Sequence, residues 1–140
     1  MSGLRLIAAF LGFGLAWLAL ISIQLAETGT CTQGDDGMFA VSFVLGVFFG
    51  VPALILLWLG RKAPPMTGLL GVFHLPLIYF NVPVLWMRLK RSTFGGSDLC
   101  DASSRAGLFT VWWAPFELVL MLVLVMAMGS YWLPRPDRSG

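Results

Sequence analysis

Charged side chains are scarce in this sequence, and their scarcity limits what the chain can be. Only 11% of the residues are charged, 58% are hydrophobic, and the mean hydropathy is +0.84. A soluble domain carries about 25% charged residues, which cover its surface. Too few charges are present here to cover a globule, so we expect lipid to be the solvent for most of the chain.

The sequence also lacks the residue sets that carry most catalytic and cofactor chemistry. One histidine and two cysteines are too few for a bis-histidine haem or a four-ligand metal site, and there is no Cys-x-x-Cys pair. No P-loop or dinucleotide-binding glycine motif occurs, and a net charge of +2 is too small to favour nucleic acid. We therefore predict no enzyme activity, no cofactor and no nucleic-acid partner.

Long apolar runs are what the sequence has instead, at about 4–25, 38–59, 66–86 and 108–132. As helices, runs of this length cross a hydrocarbon core of about 30 Å. Polar, turn-rich segments at 26–37 and 87–107 separate them, together with a short turn around Arg61 and Pro64. The first run exceeds a signal-peptide core and lacks a small-x-small cleavage site, so we expect it to be retained. The sequence predicts an all-α polytopic membrane protein, a single four-transmembrane-helix bundle.

Lysine and arginine placement suggests the orientation of that bundle. Four spans put both termini and the 61–62 turn on one side, and positive charge favours the cytoplasmic side. That side would carry Arg5, Arg61, Lys62, Arg135 and Arg138, against Arg88, Lys90, Arg91 and Arg105 on the other. This small excess predicts a protein of the cell membrane, such as a bacterial inner membrane, with both termini cytoplasmic.

The two cysteines lie in the two long connections, which this topology puts on the same outer side. Cys31 belongs to the first connection and Cys100 to the second. Disulfides persist in oxidising compartments, so the location and number of these residues predict a Cys31–Cys100 bond. The alternative is two unrelated free thiols.

Small residues recur at every fourth position in the first two spans, which places them on one face of each helix. The residues are Ala8, Gly12 and Ala16 in the first span, and Ser42, Gly46 and Gly50 in the second. Helices associate in lipid by close backbone approach at such stripes. We expect the two stripes to pack on each other within one chain. The competing interpretation is that one of them forms a homodimer.

Three polar residues lie within the apolar runs: Glu117, Asn81 and His74. Counting helical rise from the ends of the spans puts Asn81 and Glu117 at similar depths, with His74 one to two turns deeper. We expect a protonated Glu117 hydrogen-bonded to Asn81 or to a carbonyl freed by a proline, as a structural contact. The functional alternative is a proton or ion relay through Glu117 and His74, because an intramembrane acid often marks such a path.

By elimination, these features predict an interaction protein of the inner membrane. It would be an accessory subunit of a membrane complex or an immunity-type protective binder, with the lipid bilayer and a membrane-protein partner around it. The alternative is a small transporter or ion-conducting homo-oligomer that uses Glu117. The basic run Arg88, Lys90 and Arg91 is typical of a solvated helix end, and its sharper interpretation is contact with acidic lipid headgroups or an acidic partner.

Overall fold

Four α-helices and one 3-10 helix make up the part of the chain that the structure describes. In this computed structural model the described residues are 2–33, 36–94 and 107–133, with side chains described at 3–25, 44–83, 85–86 and 116–133. The helices are α1, Ser2–Gln33; α2, Asp36–Gly60; α3, Leu75–Phe94; and α4, Gly107–Gly129. The 3-10 helix, Pro65–His74, leads directly into α3, and no strand occurs in these ranges. The all-α class is confirmed.

Two of the helices extend eight residues beyond the C-terminal ends of the apolar runs from which they were predicted. α1 continues to Gln33, into the segment 26–37 that the composition predicts as a connection, and α3 continues to Phe94. A helix satisfies its backbone donors and acceptors internally, so polar residues can prolong it where no proline intervenes. Composition therefore locates the apolar part of each helix better than it locates the helix end.

Two helical segments are long and apolar enough to cross a membrane, judged by length and composition among the described residues. They are Gly3–Leu25, with a mean hydropathy of 2.4, and Pro65–Pro83, with 1.3. Val44–Gly60 and Phe116–Gly129 are also apolar but shorter. Length and composition do not distinguish such segments from the buried helices of a soluble protein, so the distribution of exposed side chains is the more informative property.

α1 and α2 form the most extensive helix pair, and they pack antiparallel through small residues. A methyl group on Gly12 would lie 2.9 Å from the backbone nitrogen of Leu57, and one on Gly60 would lie 2.7 Å from that of Ala9. Both distances are shorter than van der Waals contact, so the two backbones approach as closely as glycine allows. Other small residues of this pair are fully buried: Ala16, Ala19 and Ala53.

The predicted small-residue stripes both lie inside the chain, but they face different neighbours. Gly12 faces α2, whereas a methyl group on Gly50 would lie 2.9 Å from Leu120 Cδ1 of α4. A methyl group on Gly46 would lie 4.0 Å from both Ile23 of α1 and Leu120 of α4. Four residues turn an α-helix by about 400°, so a stripe with that spacing drifts by about 40° per step. The α2 stripe therefore turns from α1 towards α4. The side chain of Ser42 lies outside the described residues.

The residues that follow α4 close one end of the helices. The Tyr131 hydroxyl donates a hydrogen bond to the Leu57 carbonyl oxygen over 2.9 Å, and its ring packs 5.1 Å from that of Phe13. A methyl group on Gly68 of the 3-10 helix would lie 3.2 Å from both Tyr131 Cβ and Trp132 Nε1. This end therefore joins α1, α2, the 3-10 helix and the end of α4.

We predict that Gly12→Ala destabilises the fold and that Gly14→Ala does not. The added methyl at position 12 meets the α2 backbone, which cannot rotate away, so we expect a loss of about 1–3 kcal/mol. Gly14 is exposed on the same helix with no neighbour within 4 Å of the new methyl, so its replacement should leave stability unchanged or raise it by up to about 1 kcal/mol, through the higher helix propensity of alanine. Equilibrium unfolding in detergent measures both, and equal effects would contradict the close approach.

Candidate functional site

The buried polar side chains are the natural place to look for chemistry in so apolar a chain. Among the described residues they are Ser22, Thr67, His74, Asn81 and Glu117. Ser22 Oγ donates to the Leu18 carbonyl oxygen over 2.8 Å, and Thr67 Oγ1 donates to that of Pro64 over 2.6 Å. These two hydroxyls are satisfied within their own helical turns, which leaves three residues that act between helices or remain to be explained.

His74 and Asn81 both reach across to backbone carbonyl oxygens of α1. His74 Nε2 lies 2.9 Å from the oxygen of Phe13, and Asn81 Nδ2 donates to that of Leu20 over 3.1 Å. Each contact joins residues 61 positions apart, so a step of seven residues on α1 matches a step of seven from His74 to Asn81. A constant offset means that α1 and α3 run parallel with a fixed axial register. The two polar side chains set that register.

The 3-10 helix explains how His74 comes to face α1. Its three residues per turn align every third position, which puts Gly68, Gly71 and His74 on one side. The two glycines on that side lie against Trp132, and Gly71 also approaches Phe13. In an α-helix the six residues from Gly68 to His74 would turn by about 600°, leaving the histidine about 240° away from the glycine. The tighter helix therefore combines a close-packed glycine face with an inward-facing imidazole.

Pro76 accounts for the change from 3-10 to α-helix. The backbone N–H of Leu75 donates to the carbonyl oxygen of Val72, three residues back. In the α-helix that follows, each backbone N–H donates to the carbonyl oxygen four residues back. An N–H at position 76 would therefore donate to the same Val72 oxygen that Leu75 already uses. Proline carries no N–H, and Pro76 therefore lets the hydrogen-bond pattern change without two donors sharing one acceptor.

Asn81 and Glu117 lie at the same level along the helices. The contact of Gly68 with Tyr131 gives a common origin for α3 and α4. Counting helical rise from it, Asn81 lies about 22 Å along the 3-10 helix and α3, and Glu117 lies about 21 Å along α4. Counting the whole segment as α-helix would put Asn81 about 3 Å lower, at about 19–20 Å, so either count leaves the two residues within about 2 Å of the same height.

Both residues at this level are removed from solvent. Asn81 is 0% exposed and Glu117 is 2% exposed. Asn81 Nδ2 is satisfied by Leu20, but its Oδ1 is buried without a hydrogen-bond partner. An unsatisfied buried acceptor costs about 1–3 kcal/mol. Glu117 has an interaction of its own within the fold. This level of the helices is thus the most polar part of the described interior.

The structure does not bring His74 together with Glu117. The same helical counting puts the two residues about 9 Å apart along the helix axes. Both ring nitrogens of His74 already face carbonyl oxygens, of Leu70 and Phe13. Within the described residues no group of three or more histidine, cysteine or carboxylate side chains could hold a metal ion. The arrangement is suited to joining helices more than to a chemical step.

Several predicted residues fall outside the described part of the structure. Cys100 lies there, and so do the side chains of Cys31, Arg88, Lys90 and Arg91. The disulfide and the basic run therefore stay predictions.

Sequence reasoning missed Tyr131, Gly60 and the glycine face of the 3-10 helix. The signal for the last was the three-residue spacing of Gly68, Gly71 and His74.

The parallel register of α1 and α3 predicts which engineered cysteines can be joined. Gln24 and Leu85 share the offset of 61 seen in both hydrogen bonds, so Gln24→Cys with Leu85→Cys should oxidise to a disulfide. Ile78 lies two turns back on α3, about 10 Å away along the axis, which exceeds disulfide reach. The pair Gln24→Cys with Ile78→Cys is the matched control, in a background with Cys31→Ser and Cys100→Ser. Mobility on non-reducing gels measures both pairs, and preferential bonding of the control would contradict the register.

Comparison of the whole chain with known proteins finds no matching family model, no matching curated protein and no matching solved structure. What the chain does is therefore inferred from its own residues and contacts.

Proposed function

We propose that the chain is an integral membrane protein whose four helices cross the bilayer. The carrying observation is that large apolar side chains are exposed on every helix, in addition to those that form the apolar core. Leu4 is 76% exposed, Phe48 67%, Tyr79 74% and Met126 72%. Soluble monomers rarely expose apolar surface all around. Lipid as the surrounding solvent makes this surface favourable.

Charge placement supports the proposed orientation, with both termini cytoplasmic. Among the residues whose side chains are described, the exposed and half-buried charges are those of Arg5, Arg61 and Lys62. The contact of Ala9 with Gly60 puts all three at one end of the helices. The Arg61 guanidinium also lies 4.7 Å from the Trp58 ring centre, a pairing suited to headgroup depth. Positive charge collected at one end is what the cytoplasmic face of an inner-membrane protein carries.

Within that membrane, we propose an interaction role: an accessory subunit of a membrane complex or an immunity-type protective binder. The polar groups that could do chemistry are used instead to join helices, since His74 and Asn81 both contact α1 backbone oxygens. An interior used in this way leaves the outer surface to carry function. A membrane-protein partner would meet the apolar helix faces and the outer segments around 26–37 and 87–107.

One observation favours a second candidate, an ion-conducting homo-oligomer. Asn81 Oδ1 has no hydrogen-bond partner, and Glu117 lies buried at the same level of the helices. Oxygen atoms grouped at the middle of a membrane are typical of ion and proton paths. This candidate needs copies of the chain to form a polar passage around that level.

Native mass spectrometry after mild detergent extraction, paired with ion flux in liposomes, separates the two roles. The interaction role predicts a stoichiometric second polypeptide with wild-type protein and with Glu117→Gln, because Gln keeps the shape and hydrogen-bonding ability of the buried side chain. It also predicts no flux from either protein. A homo-oligomer whose flux is reduced at least tenfold by Glu117→Gln would contradict it and establish the conducting role.

A further inference from the structure

The side-chain amide of Asn81 is fixed in one orientation. Its Nδ2 donates to the Leu20 carbonyl oxygen over 3.1 Å, and because that oxygen can only accept, the two ends of the amide cannot be exchanged. The other end, Oδ1, is buried without a hydrogen-bond partner, and the residue is 0% exposed. A buried acceptor of this kind needs an N–H, an O–H or a cation beside it.

Gly46 gives a common height for α1, α2 and α4. A methyl group there would lie 4.0 Å from both Ile23 of α1 and Leu120 of α4. Towards the other end of these helices, the Tyr131 ring packs on that of Phe13. Residue numbers therefore rise in opposite directions along α1 and α4, so the two helices run antiparallel.

Three side chains that carry oxygen atoms lie near this height, one on each of α1, α3 and α4. In the same direction along the axes, Gln24 is about 1.5 Å beyond Ile23 and Glu117 is about 4.5 Å beyond Leu120. Asn81 lies within about 2 Å of the height of Glu117. The Oε1 atom of Gln24 is buried, Glu117 is buried, and each of these two residues has an interaction of its own within the fold. Since α3 packs on both α1 and α4, and packed helix axes lie about 8–10 Å apart, buried side chains of this length come within reach of one another.

We propose that these oxygens bind one monovalent metal cation, such as Na⁺ or K⁺. Among the residues whose side chains are described, Glu117 is the one carboxylate, and in apolar surroundings its negative charge is balanced by a single positive charge. A divalent ion would leave a net charge in the interior. Carbonyl oxygens are ligands of such monovalent cations within membrane proteins, and the amides of Asn81 and Gln24 supply them. A site of this kind needs no cluster of histidine, cysteine or carboxylate ligands.

A cation in this place joins three helices. Asn81 is already fixed to α1 through Leu20, whereas α4 packs mainly on α2 and α3. The cation adds a link between Glu117 of α4 and the pair formed by α1 and α3. This role needs no passage across the membrane, so the proposal is independent of whether copies of the chain conduct ions.

The dependence of stability on cations tests the site in the purified chain. Equilibrium unfolding is followed in detergent with NaCl, KCl or N-methyl-D-glucamine chloride, whose organic cation is too large for a buried site and keeps the ionic strength constant. A ligand that binds the folded chain alone lowers the unfolding equilibrium constant in proportion to its concentration above the Kd. For at least one of the two metal ions, we expect about a tenfold fall in that constant for each tenfold rise in concentration.

Two variants separate the site from a general effect of salt. Glu117→Gln keeps the shape of the side chain but removes its charge, so the dependence on the metal cation should be lost. His74→Ala removes the corresponding contact with α1 at Phe13 and leaves the three oxygen-bearing side chains in place, so the dependence should remain. The wild-type series decides even where a variant fails to fold. Unfolding that is the same in all three salts would overturn the proposal in favour of a bound water molecule, and an undiminished dependence in Glu117→Gln would overturn it as well.

Discussion

Backbone oxygens of α1 are the acceptors on which the arrangement of the other helices depends. Apolar surroundings offer no water to replace a lost hydrogen bond, so each buried donor must find a partner in the protein. The carbonyl oxygens of Phe13 and Leu20 receive His74 and Asn81 at the same offset along the chain. These two bonds fix α3 on α1, while the glycine contacts at Gly12 and Gly60 fix α2 on the same helix. α1 is therefore the common support of α2, the 3-10 helix and α3, while α4 packs mainly on α2 and α3.

The 3-10 helix connects the contact with α1 at Phe13 to the level of the helices at which Asn81 and Glu117 are buried. Its three-residue repeat places His74 beside α1, and its longer rise carries Asn81 about 3 Å further along the axis than an α-helix would. Pro76 then allows an ordinary α-helix to follow. A continuous α-helix from Pro65 would change both the direction of His74 and the height of Asn81.

The sequence was sufficient for the helical class and for the burial of Glu117, Asn81 and His74, but not for that of Ser22 and Thr67. Apolar runs dominate its composition, and a carboxylate such as Glu117 inside one of them has few favourable places other than the interior. It was insufficient for the pairing of the stripes, because spacing by four drifts around the helix and turns Gly50 towards α4. It was also insufficient for the 3-10 helix, because residue propensities hardly distinguish a 3-10 helix from an α-helix. The glycine face of that helix is explained by its contact with Trp132, which only the structure shows. Helix ends in polar segments were the least predictable feature, as at Gln33.

The central claim is that lipid surrounds these helices and that their two ends lie on opposite sides of it. Labelling of single cysteines with a membrane-impermeant maleimide tests this most directly, using Lys62→Cys and Thr30→Cys in a background with Cys31→Ser and Cys100→Ser. Position 30 should react in intact cells, and position 62 should react only after the membrane is permeabilised. Equal reactivity of both positions in intact cells would contradict the claim.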